Sequence, residues 1–146
     1  MKLHPIQQEF NLLYKELDDL YRETAVFQGL SDSAQMVLYT ICELGGGCLQ
    51  KDICDRCFLT KQTVHSSVRK LEREGFVTLT TGKGRDRLLF LTKAGRALAE
   101  RTIHPLMEAE YKAMDALSSE EQTALLQLTQ TYLAALRREL RQITVD

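Results

Sequence analysis

Nothing in this chain of 146 residues approaches the roughly 20 consecutive apolar residues that a membrane-spanning helix requires. The opening Met1-Lys-Leu-His-Pro-Ile-Gln-Gln-Glu9 lacks the apolar segment of a secretory signal, so a cytoplasmic protein with no membrane partner is expected. There is no hydrolase elbow, no phosphate-binding loop and no metalloprotease signature. The three histidines, His4, His65 and His104, are scattered without a matching carboxylate pattern. These absences argue against an enzyme, and no cofactor is expected. Repeats and low-complexity linkers are missing too, and the length is that of one domain able to bury a core.

Cysteine is sparse: Cys42, Cys48, Cys54 and Cys57. In a cytosolic chain these stay reduced, and free cysteine behaves as a small buried apolar residue. The Cys54-x-x-Cys57 spacing occurs in zinc and redox sites, but no second paired motif completes a four-ligand zinc site. Buried packing is therefore the expectation, no metal site is assigned, and metal or redox sensing stands as the rival reading.

Net positive charge is also lacking, with 19 cations against 20 anions for a total of −1. The distribution matters more than the sum. Residues 58–101 hold ten Lys and Arg against four Asp and Glu, so that segment carries +6 and the remainder −7. A basic module on an acidic body suits a protein that presents one face to nucleic acid.

That module centres on residues 59–91. Val64, Val68 and Leu71 recur at helical spacing and share one face. At about 100° per residue, Gln62, Ser66, Arg69 and Arg73 fall opposite, flanked by Thr63 and Lys70 on one side and His65 on the other. Thr60 is the expected N-cap and Gly75 the expected stop. Amide, hydroxyl and guanidinium groups on one helix face suit base edges and phosphates. A merely solvated face is the alternative for such a stripe in isolation. The residues beyond Gly75 weigh against it: Val77–Thr81 alternates as a half-buried strand, and Arg87–Leu91 reads as a second, more apolar one. Between them, Gly82-Lys-Gly-Arg-Asp-Arg87 combines turn glycines with three cations. A helix followed by a hairpin with a basic tip describes a winged helix-turn-helix, one element for the major groove and the other for the backbone or minor groove.

Gln50-Lys-Asp-Ile53, Lys61-Gln-Thr-Val64, Leu71-Glu-Arg-Glu-Gly-Phe76 and Leu91-Thr-Lys-Ala-Gly95 stand in the order and spacing of the MarR family of bacterial regulators. Leu30-Ser-Asp-Ser-Ala-Gln-Met-Val-Leu38 resembles the opening of that family's second helix, and the resemblance extends over nearly the whole chain. Many members carry Asp-x-Arg several residues before the Leu-Thr pair, whereas here a short loop reads Gly84-Arg85-Asp86-Arg87. The resemblance thus implies a wing role for Arg85, or else for Arg87. Oxidation sensors resembling this family often carry a reactive cysteine in the first helix, and this chain has none there.

Elsewhere a first helix over residues 5–28 is expected, with Ile6, Phe10, Leu13, Leu17, Leu20 and Phe27 on one stripe, Thr24 interrupting it, and Gly29 as the stop. Its length of roughly 35 Å exceeds what one small winged domain needs to cover. Ser31 or Asp32 caps a second helix through Leu44, with Met36, Val37, Tyr39, Thr40 and Ile41 turned inward. Cys48-Leu49 is read as a short strand joining the wing sheet, and residues 50–57 as a brief helix with Ile53 and Cys57 inward. Thr92 caps a helix beginning at Lys93, with Ala94, Ala97, Leu98, Arg101 and Thr102 along it, which Pro105 should kink or restart. Ser118-Ser-Glu-Glu121 is a capping box opening a last helix with Leu125, Leu128, Tyr132, Leu136, Leu140 and Ile143 on its stripe.

The fold class expected is mainly α with a small β-hairpin wing: a winged helix-turn-helix over residues 30–102 and a helical dimerisation layer from 1–29 and 103–146. The terminal stripes favour a homodimer; the alternative is that they pack only on each other within one subunit. A two-fold dimer would set its reading helices about 34 Å apart, matching successive major grooves of a pseudo-palindromic operator in double-stranded DNA. The DNA contacts expected are Thr60, Lys61, Gln62, Thr63, His65, Ser66, Arg69 and Lys70 on the helix and Lys83, Arg85 and Arg87 on the wing. The resemblance further implies a repressor released by a small aromatic effector, bound between the dimer helices and the winged region. Phe10, Tyr14, Tyr21, Tyr39 and Met107 are the candidate walls, with plain core packing as the alternative. A winged module that has lost DNA binding would present an acidic reading face, and this one is basic.

Overall fold

The computed structural model describes residues 1–143; positions 144–146, the end of the expected terminal region, lie outside the described residues. The order is α1 (Pro5–Phe27), α2 (Asp32–Leu44), β1 (Cys48–Leu49), α3 (Gln50–Arg56), α4 (Lys61–Arg73), β2 (Val77–Thr81), β3 (Arg87–Leu91), α5 (Lys93–Asp115) and α6 (Ser119–Leu140). The expected mainly helical fold with a small sheet is borne out. The chain divides into two compact units, Met1–Pro105 and Leu106–Asp146, and α5 contributes to both.

In the first unit the caps follow from residue chemistry. Pro5 occupies the first position of α1, where no backbone N–H is needed, and His4 Nδ1 accepts from the amide of Ile6 at 3.2 Å. Ser31, not Asp32, caps α2, its hydroxyl accepting from Ala34 N at 3.1 Å. Asp32 lies in the first turn, where a carboxylate complements the helix dipole. Asp52 accepts from the amide of Leu49 at 2.8 Å and so closes the first turn of α3. Helix α4 ends in a Schellman arrangement: Phe76 N donates to Leu71 O at 2.9 Å and Gly75 N to Glu72 O at 3.0 Å. Gly75 there has φ +81°, a conformation that costs glycine little and other residues more.

Three antiparallel strands form the sheet in the order β1-β3-β2, with Cys48 opposite Leu89, Val77 opposite Leu91, and Thr81 opposite Arg87. The core is a contiguous apolar set: Val37, Leu38 and Ile41 of α2, Ile53 of α3, Val64, Val68 and Leu71 of α4, Val77 and Leu89 of the sheet, and Leu98, Ala99 and Ile103 of α5. Helix α4 packs on α2, α3 and β2, which fixes its outward face.

Several details depart from the sequence expectation. Of the kink or restart expected at Pro105, the restart does not occur: α5 is one helix, although the proline removes the amide that would bond to the carbonyl of Arg101. On α2, Ala34, Gln35 and Leu38 are buried, while Met36 and Tyr39 are only half-buried. On α5, Ala99 and Ile103 face inward, whereas Ala94, Ala97 and Arg101 are exposed. Cys57 is half-buried at the end of α3, not inward like Ile53.

In the second unit, Ser118 and Glu121 make the expected capping box: Glu121 N donates to Ser118 Oγ at 3.1 Å, and Ser118 N to Glu121 Oε2 at 2.8 Å. Helix α6 buries no residue, and Leu125, Leu128, Leu133 and Leu140 are exposed. In the first unit the α1 stripe is exposed as well, Leu13 at 65% and Leu17 at 50%.

Candidate nucleic-acid interface

Helix α4 divides by chemistry. Val64, Ser67, Val68 and Leu71 are buried, while Lys61, Gln62, His65, Ser66, Arg69, Lys70 and Arg73 are exposed and Thr63 is half-buried. Burial of Ser67 was not expected; its small hydroxyl side chain sits on the inner face beside Val64 and Val68.

Thr60 Oγ1 accepts from the amide of Thr63 at 3.2 Å and lies 2.8 Å from the Thr63 hydroxyl, so both threonines already serve the start of α4. Lys70 forms a loose ion pair with Glu74 at 3.9 Å. By contrast, Lys61, Arg69, Lys83, Arg85 and Arg87 form no ion pair among the described residues, leaving their charge open to an external anion. His65 is held from outside its helix: its Nδ1 lies 3.4 Å from Nε2 of Gln50, at the first position of α3. That contact spans 15 residues and leaves no periodic trace in the sequence.

The wing presents its cations at and beside its tip. Gly82 N donates to Asp86 O at 2.8 Å and Asp86 N to Lys83 O at 3.2 Å, closing the loop around exposed Gly84 and Arg85. Arg87 opens β3 opposite Thr81 and is exposed, so its side chain projects from the strand and Arg85 from the loop itself. At the base, Thr92 Oγ1 donates to Gly75 O at 2.6 Å, Thr92 N donates to Phe76 O at 3.0 Å, and Gly95 N donates to Thr92 Oγ1 at 3.0 Å. The residue that caps α5 therefore ties the wing's return strand to the end of α4. The Leu-Thr-Lys-Ala-Gly motif marks this clamp in the sequence, but only the fold shows what it grips.

Of the candidate effector residues, Phe10 and Tyr14 are adjacent and exposed on α1, their ring centroids 6.1 Å apart. Tyr21 and Tyr39 are half-buried in the same unit, and half-buried Met107 belongs to the other. A cavity of about 330 Å³ lies in the first unit between the end of α2, β3 and α5, with Ile41, Cys42, Phe90, Arg96, Ala99 and His104 among its walls. None of the five candidates lines it.

Burial pushes the Cys42 thiol above its ordinary range, and it does the same to Cys48, where Asp52 adds to the effect. Among the described residues no three His, Cys, Asp or Glu side chains are grouped to hold a metal ion. No helix of the described residues is long and apolar enough to cross a membrane.

No curated protein matches the chain. Solved structures do. NMB1585, a MarR family regulator from Neisseria meningitidis, is 23% identical over 95% of this chain and 98% of its own, with a TM-score of 0.80. A putative MarR family transcriptional regulator from Listeria monocytogenes, complexed with 26mer DNA, is 18% identical over 100% of this chain and 99% of its own, with a TM-score of 0.71. BpsR from Bordetella bronchiseptica, whose DNA binding is regulated by 6-hydroxynicotinic acid, is 21% identical over 90% of this chain and 98% of its own, with a TM-score of 0.65. These likenesses establish the fold. Residues 28–87, from the end of α1 to the start of β3, match the model of the MarR family. That match, on a helix-turn-helix with a three-stranded wing, makes residues 28–87 similar to the MarR family, and the chain as a whole shares the fold of solved MarR regulators.

Proposed function

We propose that the protein is a homodimeric, sequence-specific DNA-binding regulator, acting as a repressor that a small aromatic molecule releases. The observation that carries the reading is the outward face of α4 joined to the wing: Lys61, Gln62, Ser66, Arg69, Lys83, Arg85 and Arg87 are all exposed, and the five cations among them have no ion pair among the described residues. Gln62 and Ser66 can exchange hydrogen bonds with base edges in the major groove, and Arg69 can take a guanine or a phosphate. Lys83, Arg85 and Arg87 neutralise phosphates beside it or enter the minor groove. Thr60 and Thr63 take part by presenting the first turn of α4, while His65 and Lys70 are flank contacts.

A dimer is the consequence of what a lone chain leaves in water. Ile6, Phe10, Leu13, Leu17 and Leu20 line α1 and remain exposed, and so do Leu125, Leu128, Leu133 and Leu140 on α6. Apolar stripes of this length mark surfaces for a partner, and a second copy is the simplest one. The DNA-bound Listeria regulator and the ligand-regulated BpsR share the fold and support the reading of partner and effector. Phe10, Tyr14, Tyr21, Tyr39 and Met107 remain the candidate effector contacts. A mobility-shift titration of the chain against a duplex selected from random sequence, run beside sedimentation analysis, tests the proposal. Two chains per duplex and a defined consensus are expected; a monomer without sequence preference would refute it.

A further inference from the structure

One pair of cysteines lies outside the surface proposed to meet DNA. Cys54 lies in the last turn of α3, and Cys57 is its C-cap, whose backbone N–H still donates to Ile53 O at 2.9 Å. That bond keeps Cys57 on the helical path, so the two cysteines stand on the same side one turn apart. With a rise of about 1.5 Å per residue and a radius of about 2.3 Å, their α-carbons are about 5 Å apart. Such a distance lies inside the span of a disulfide. Beyond its α-carbon Cys57 is extended, ψ 159°, so its far side is not bound into a further helical turn. Both residues are half-buried and reach solvent, whereas Cys48 is buried in β1 and Cys42 belongs to α2. Burial pushes the Cys54 thiol up, and Cys57 and Asp55 add to this, while Lys61 opposes it.

We propose that Cys54 and Cys57 form a dithiol–disulfide couple, closed by exchange with a small-molecule disulfide, whose closure moves the turn presenting Lys61 and Gln62. Either thiolate attacks one sulfur of the small disulfide, forming a mixed disulfide and releasing one thiolate. The second cysteine thiolate then attacks the protein-bound sulfur, closes the Cys54–Cys57 bond and expels the other thiolate. The two protons lost by the cysteines end on the two released thiols; the protein has lost two electrons and the small disulfide has gained them. Closure has a mechanical consequence. Side chains one turn apart hold their β-carbons about 5–6 Å from each other. A disulfide needs about 3.8 Å, so the last turn of α3 must tighten. Only Phe58, Leu59 and the N-cap Thr60 separate Cys57 from α4, leaving little chain to absorb the movement. This consequence for operator affinity rests on the DNA-reading function proposed above.

The test uses the full native chain with oxidised glutathione. Accessible and total thiols are counted, followed by trypsin under non-reducing conditions. Arg56 lies between the two cysteines, so the bond would join peptide 52–56 to peptide 57–61, and reduction would separate them. Free thiols should fall from four to two, with binding to a duplex selected by the reduced protein weakening at least tenfold and recovering on reduction. Cys57→Ser should bind that duplex equally before and after oxidant treatment. Separate peptides, a lasting glutathione adduct, or a bond to Cys42 or Cys48 would overturn the couple. Linked peptides with unchanged affinity would overturn the switch. Failure of the reduced protein to select any duplex would sink the DNA-reading function, and the linked peptides alone would then decide the couple.

Discussion

A β-carbon placed on Gly95 would stand 1.9 Å from the carbonyl oxygen of Phe76. The first turn of α5 thus presses directly on the chain as it leaves α4 for the wing, at a point where Thr92 also bonds to Gly75 and Phe76. Backbone oxygen cannot rotate away as a side chain could. Gly95→Ala should therefore cost about 3 kcal/mol, the upper end for overpacking a tight contact. Urea denaturation checks this against Ala97→Ser on the exposed side of α5, which should change stability by no more than about 0.5 kcal/mol. Equal stability of the two variants would disprove the close approach.

Thr60 illustrates how a residue proposed to meet DNA can act through folding. Its hydroxyl accepts from Thr63 N, so Thr60→Ala should lower stability by about 1 kcal/mol, while Thr60→Ser keeps the cap and most of the stability. Thermal denaturation separates the two. If alanine and serine behave alike, the cap contributes nothing measurable.

Arg69→Ala and Arg85→Ala are both expected to weaken operator binding with the unfolding midpoint unchanged, since both side chains are exposed and neither has an ion pair among the described residues. Their signatures should differ. Loss of a phosphate contact at Arg85 should flatten the dependence of log affinity on log salt by about 0.9 and weaken all sequences alike. Loss of a base contact at Arg69 should instead relax the consensus at one position. A double variant that binds as tightly as the parent would remove the α4–wing surface from consideration.

The α1 stripe can be tested by charge. Leu13→Glu combined with Leu17→Glu adds two carboxylates to a face that is already exposed in one chain, so a lone chain should tolerate them. A dimer sealed there should dissociate, and sedimentation velocity should report the monomer mass. Cooperative binding to a two-site duplex should be lost with it. Persistence of the dimer would move the interface elsewhere.

Much of this could be read from local pattern. The strands Val77–Thr81 and Arg87–Leu91, the inward trio Val64, Val68 and Leu71, and the caps at Thr60, Thr92 and Ser118 all depend on residues within a few positions of each other. At Pro105 the local pattern allowed a kink or a restart, and α5 carries on as one helix, with Thr102 and Ile103 buried just before the proline. On α2 the expected inward set included Met36 and Tyr39 but not Leu38, since a helix apolar on most of its circumference does not reveal which arc its neighbours will cover.

What the sequence determined by itself is the alternation and periodicity of apolar residues, the punctuation of the helices, and the concentration of cations between positions 58 and 101, for these arise from short-range sterics and composition. Only the tertiary structure decided that Gln50 would meet His65, that Gln28 would donate to the carbonyl of Thr102 at 2.7 Å across 74 residues, and that Gly95 would lie against Phe76. Those pairs are set by how α1, α3, α4, α5 and the sheet close on one shared core, and contacts between distant segments carry no signature in the spacing of either one.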